Sequence, residues 1–134
     1  GKALLNFPRF KQTGDARFLR AAEATADQYI AEGFRQDPGD LWPKSAGQVI
    51  SLLLALSHEK DIPAAKQKTY FGFARETADK SIALFSRNGL FRADGIAEHY
   101  EAITGSDDLL WGLLQLYCEL ARPDHRLSYN NLNW

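Results

Sequence analysis

Methionine is missing from this chain of 134 residues, cysteine occurs once, and neither sign of charge prevails. A single cysteine, Cys118, excludes an intrachain disulfide and supplies no thiolate set for zinc, and it fits export and the cytosol alike. Sixteen basic residues against seventeen acidic ones leave a formal net charge of -1. That balance lacks the basic excess that binds phosphate backbones, so nucleic acid is not expected as a partner. Long apolar runs are lacking too: the longest covers residues 52–56, far short of the roughly twenty residues a membrane-spanning helix needs. No membrane contact is expected. No His-Glu-x-x-His or comparable ligand spacing occurs, so neither a metal nor a cofactor is expected. With glycine at position 1 and no methionine anywhere, the chain reads as a domain cut from something longer.

What the chain does contain is itself, twice. Ala22-Glu23-Ala24-Thr25-Ala26-Asp27-Gln28-Tyr29-Ile30-Ala31 returns fifty-two residues later as Ala74-Arg75-Glu76-Thr77-Ala78-Asp79-Lys80-Ser81-Ile82-Ala83. Val49 to Glu59 likewise aligns with Leu109 to Glu119 at an offset of sixty. Each copy is therefore two helices and a connection. The fold class this predicts is all-α: two repeated antiparallel helical hairpins, four main helices, in a domain covering residues 15–121.

Residues 1–14, with Pro8 and Gly14, suit an extended or single-turn lead-in whose Phe7 and Phe10 pack on the first helix. Helices are expected at about 15–32, 45–59, 62–87 and 106–121, punctuated by Gly33, Pro63, Asn88-Gly89 and Pro123. Residues 122–134 read as a tail. The first helix of each copy has a polar side, whereas the second is apolar nearly all round and must be buried all round. The first therefore belongs to an outer layer and the second to an inner one. Two hairpins cannot cover two such inner helices, so a neighbour is expected: further hairpins of a parent protein, or a second copy in a homo-oligomer.

The connections from outer to inner helix also match, Phe34-Arg35-Gln36-Asp37 paralleling Phe91-Arg92-Ala93-Asp94, which puts both on one rim. The second connection is the longer and holds the densest set of ionisable and aromatic groups. Arg92 and Asp94 there read either as substrate contacts or as a charge-assisted pair that shapes the turn. Asp107 and Asp108 suit a helix cap as well as a site. Glu98-His99-Tyr100-Glu101 has no counterpart in the first connection. A histidine flanked by carboxylates and a phenol can abstract and return a proton, and an exposed polar loop explains the same letters. Trp42, beside Pro43 at the rim, could stack on a sugar ring. His58 closes the second helix, where a surface cap suits the dipole.

Outer helix, connection and apolar inner helix, with Gly89-Leu90-Phe91-Arg92 leading to Tyr100-Glu101 and Asp107-Asp108-Leu109-Leu110-Trp111, resembles a hairpin of the α/α-toroid proteins: six-hairpin glycosidases, unsaturated glucuronyl hydrolases and the helical domains of polysaccharide lyases. The likeness covers two of the six or so hairpins of a closed toroid. It implies a domain of a larger carbohydrate-active protein with a glycan as partner. His99, Tyr100, Glu101 and Asp107 would then be catalytic candidates, and Trp42, Arg92 and Asp94 substrate-binding ones. The chain is too short to enclose a sugar cleft alone. The competing expectation is a helical-repeat interaction module, without chemistry, that docks another domain or subunit.

Overall fold

The structure is a computed structural model that describes residues 2–32, 42–99 and 105–127. Among these the chain is mostly helical, and its one sheet is a small hairpin. A 3-10 turn at Lys2–Leu5 leads into α1 (Asn6–Thr13), followed by α2 (Ala16–Glu32), α3 (Pro43–Ser57) and α4 (Ala64–Phe85). Strands β1 (Ser86–Arg87) and β2 (Leu90–Phe91) pair antiparallel, and α5 (Ser106–Ala121) precedes a 3-10 turn at Pro123–His125.

The lead-in departs from expectation, because it is a helix. Pro8 sits in the first turn of α1, where its missing N–H would have had no intrahelical partner, so the residue read as a breaker is tolerated. Gly14 then ends the helix in the left-handed conformation, and its N–H donates to the Phe10 carbonyl at 2.8 Å. Leu4, Phe7 and Phe10 are buried in the common core. The second departure is at Asn88-Gly89. Both residues adopt positive φ, which makes the two-residue turn of a β-hairpin rather than a bare helix stop. Helix α4 therefore ends at Phe85, two residues before the expected 87.

The two layers follow from the side chains. Outer helix α4 buries one stripe, Tyr70, Ala74, Ala78, Ser81 and Phe85, and leaves its other side in solvent. Outer helix α2 does the same with Leu19, Ala22 and Ala26. Asp15 starts α2 as expected: its Oδ1 accepts the Arg17 amide at 2.9 Å. The Arg17 guanidinium folded back on it holds the carboxyl down at about 2. Inner helix α3 is buried at every residue from Ala46 to Leu56.

Helix directions come from contacts. The link at 58–63 is short, so α3 and α4 form a tight antiparallel pair. α3 and α5 run parallel: Gly47 meets the Asp108 backbone near their N-termini, and His58 meets Glu119 at their C-termini. α2 and α4 are parallel as well, with Lys66 on Glu23 at 2.8 Å and the Tyr70 hydroxyl donating to Asp27 at 2.9 Å. Like helices of the two copies thus run the same way. The closest packing, however, is α3 against α4 and α5, while α2 with α3, and α4 with α5, touch less. The helices pack mainly across the boundary between the copies rather than within each.

Glycine explains the closeness of the inner pair. A Cβ on Gly47 would lie 2.1 Å from the Asp108 carbonyl oxygen, and one on Gly112 would lie 2.8 Å from the Gly47 carbonyl oxygen. The backbones approach where both helices lack a side chain. Ser51 Oγ then donates to Gln115 Oε1 in the buried seam.

Candidate functional site

Because α4 runs antiparallel to α3, its C-terminus and the loop at 92–99 lie at the end where α3 and α5 begin. Trp42, Arg92, Asp94, His99 and Asp107 therefore share that end of the molecule. Tyr100, Glu101 and the first connection, with Arg35 and Asp37, lie outside the described residues.

Arg92 is buried, at 7% exposure, and its guanidinium is taken up by its own loop and the end of α4. Nε donates to the Leu84 carbonyl at 2.7 Å, Nη2 to the Gly95 carbonyl at 2.7 Å and Nη1 to Glu98 Oε1 at 3.0 Å. Its ion pair is with Glu98, not with Asp94. Asp94 shapes the turn separately, Oδ1 accepting the amides of Ile96 at 2.8 Å and Ala97 at 2.7 Å. Those amides hold its carboxyl below the usual range, with Arg92 and His99 adding a smaller attraction. The turn-shaping reading thus holds for each residue, though not through a mutual pair.

His99 is exposed, and its backbone carbonyl accepts the Ala93 amide at 2.8 Å. Asp107 is exposed in the first turn of α5. The N-cap there is Gly105, in left-handed conformation, so Asp107 and Asp108 complement the helix dipole from inside the first turn rather than capping from outside. Trp42 is 49% exposed just ahead of α3.

A second polar cluster, which the sequence reading passed over, lies at the opposite end. A cavity of about 600 Å³ between α1, the C-terminal ends of α3 and α5, and the segment after α5 is lined by Lys11, His58, Glu59, Gln115, Glu119 and Arg126 among others. Glu59 is 3% exposed and takes Lys11 Nζ at 3.0 Å. Glu119 takes His58 Nε2 at 2.7 Å and Arg126 Nε at 2.9 Å. His58, expected as a surface cap, is the exposed C-cap of α3, and its ring also bridges to Glu119 on α5. The repeat carries the missed signal: at an offset of sixty, Glu59 and Glu119 are equivalent, so parallel inner helices bring both carboxylates to one end. Each is already compensated by a cation, and the cluster stitches α1, α3 and α5 together. Among the described residues no group of three or more His, Cys, Asp or Glu side chains is arranged to hold a metal ion.

The largest irregularity is on α5 itself. Leu109, Gly112, Gln115 and Leu116 are buried on the side of α3. On the other side Leu110 is 60% exposed, Leu114 43%, Tyr117 60% and Leu120 52%. Among the described residues no other helix carries more than one exposed large hydrophobic side chain. Trp111, flanking this face, has its indole N–H buried without a hydrogen-bond partner. In comparisons with known proteins, no family model, no curated protein and no solved structure matches the chain.

Proposed function

We propose that the chain is a non-catalytic helical-repeat interaction module whose docking edge is the outward face of α5, and that its partner is an amphipathic helix from a neighbouring domain or subunit. The single observation behind this reading is the apolar stripe Leu110, Leu114 and Tyr117 on a helix whose opposite side is seated on α3. The repeat register says what kind of surface it is. On α3, the residues turned toward α5 include Gly47, Ile50 and Ser51. Sixty residues on, Ile50 becomes Leu110 and Leu54 becomes Leu114. The face open on α5 is the counterpart of the face on which α3 already seats a parallel helix. A soluble designed helix with leucine at heptad a and d positions, fluorescently labelled, is the probe. Anisotropy is expected to report binding to the wild-type chain that disappears in Leu110→Glu/Leu114→Glu; binding indifferent to that change, or none at all, contradicts the reading.

A carbohydrate role keeps one geometric support, the gathering of half-exposed Trp42 with His99 and Asp107 at the shared end, since an indole face can stack on a sugar ring. Oligosaccharide binding measured by calorimetry in Trp42→Ala and His99→Ala/Glu101→Ala separates the two readings. Binding lost in these variants supports the sugar site, and equal heats in all of them remove it.

A further inference from the structure

We infer that the partner of the α5 face is a second copy of this chain, docked α5 against α5 and antiparallel in a two-fold dimer. This rests on the docking-edge reading and names its occupant. In a head-to-tail stack, α5 of one copy would need an open inner-helix face on the next. The counterpart helix offers none, because α3 is buried from Ala46 through Leu56. Among the described helices, the only apolar stripe open on one copy is the same stripe open on the other. A contact made by one patch with itself is isologous and closes at two subunits.

The stripe has the form such a contact needs. Leu110, Leu114, Tyr117 and Ala121 recur at spacings of four, three and four, the heptad pattern of a narrow helix seam. They lie opposite the side that carries Gly112, Gln115 and Glu119. Antiparallel pairing sets Leu114 against the partner's Tyr117 and Leu110 against the partner's Ala121, so two large side chains meet near the centre and a large one meets a small one at each end. In that register the partner's Arg122 stands about 3 Å along the axis from Asp107, at 1.5 Å per residue. Asp107 is exposed, and the Arg122 guanidinium has only a loose 3.6 Å pairing with Asp124. Parallel pairing would instead set each Asp107 beside its copy and lay the two helix dipoles side by side in the same direction.

Sedimentation equilibrium of the full chain tests this. Wild type is expected at twice its 15.0 kDa mass at high concentration. Leu114→Glu is expected at the monomer mass with unchanged helical circular dichroism. If that variant fails to fold, Tyr117→Glu takes its place, since the side chain is more exposed. Asp107→Arg and Arg122→Asp are each expected to weaken the dimer three- to tenfold, and their combination to restore it. A wild-type chain that stays monomeric at several hundred micromolar, or a dimer indifferent to Leu114→Glu, overturns the proposal. A dimer that is not restored by the combined charge swap overturns the antiparallel arrangement. Binding of the designed helix by a strictly monomeric chain leaves the docking edge standing without the dimer, whereas loss of both removes both.

Discussion

The two inner helices were copied from one pattern and live in different surroundings. α3 and α5 are equally apolar to the eye, and sequence reasoning buries both on every side. α3 is enclosed, with Ile50, Leu53 and Leu56 fully out of solvent, whereas α5 shares only half its circumference with the rest of the chain. Composition states what a helix needs, and the neighbours present decide whether the need is met. An unmet one marks where something else belongs.

The contrast can be broken by truncation. Leu53→Ala empties a fully buried site and is expected to cost about 2–5 kcal/mol. Its repeat mate, Leu113, is only partly buried, and alanine there should cost less than half as much. Chemical denaturation at low protein concentration reads both. Equal losses would mean that α5 is as enclosed as α3.

The glycines sharpen it. Gly47→Ala drives a Cβ into the Asp108 backbone, which must move, and the expected loss is about 1–3 kcal/mol. Gly72, in the middle of α4, has nothing within 4 Å of its added Cβ, so Gly72→Ala is expected to stabilise by about 0.5–1 kcal/mol through helix propensity. Thermal melts that shift in opposite directions confirm the close approach of α3 and α5, and a harmless Gly47→Ala refutes it.

The smallest effect concerns the outer layer, where charge replaces apolar packing as the link between copies. Burial, with Asp27 beside it, pushes the Tyr70 hydroxyl up to about 12. An unfolded tyrosine ionises near 10. Between these values the folded chain holds a proton that the unfolded chain has lost, so stability falls as pH rises from about 10 to about 12. Lys66, raised chiefly by Glu23, and Tyr29, raised by burial, act in the same direction. Tyr70→Phe should flatten the alkaline decline in denaturation midpoints while leaving the acid side unchanged. An identical alkaline slope in the variant would show that Tyr70 is not its source.

Much of this fold is legible in the letters. The expected start of the first outer helix at 15 is met by α2 at Ala16, and the Ser106 to Ala121 helix is met residue for residue. Like helices of the two copies run parallel, as the pairs Gly47 with Asp108 and His58 with Glu119 require. Three things were hidden. Pro8 and Gly14 look the same flanking a loop as they do inside a first turn and at a left-handed C-cap, so α1 left no clear signature. Asn88-Gly89 stops a helix and also turns a hairpin, and only the pairing of Ser86 with Phe91 decides between them. The Glu59 and Glu119 cluster stayed out of view because its cations, Lys11 and Arg126, come from opposite ends of the sequence. Of the rim candidates, Arg92 is the one whose letters mislead most: a charged residue in a polar loop suggests contact with solvent or ligand, yet the side chain is buried and bound to the backbone that surrounds it.

Paired charge insertions at equivalent positions of the two inner helices test the central contrast most directly, followed by circular dichroism melting of each variant. Ile50→Glu/Leu54→Glu is expected to abolish the cooperative transition, while Leu110→Glu/Leu114→Glu, sixty residues on, is expected to keep the helical signal and melt cooperatively as a monomer. If the two variants behave alike, both folded or both unfolded, then α3 and α5 do not differ in enclosure and the outward face of α5 is no docking edge.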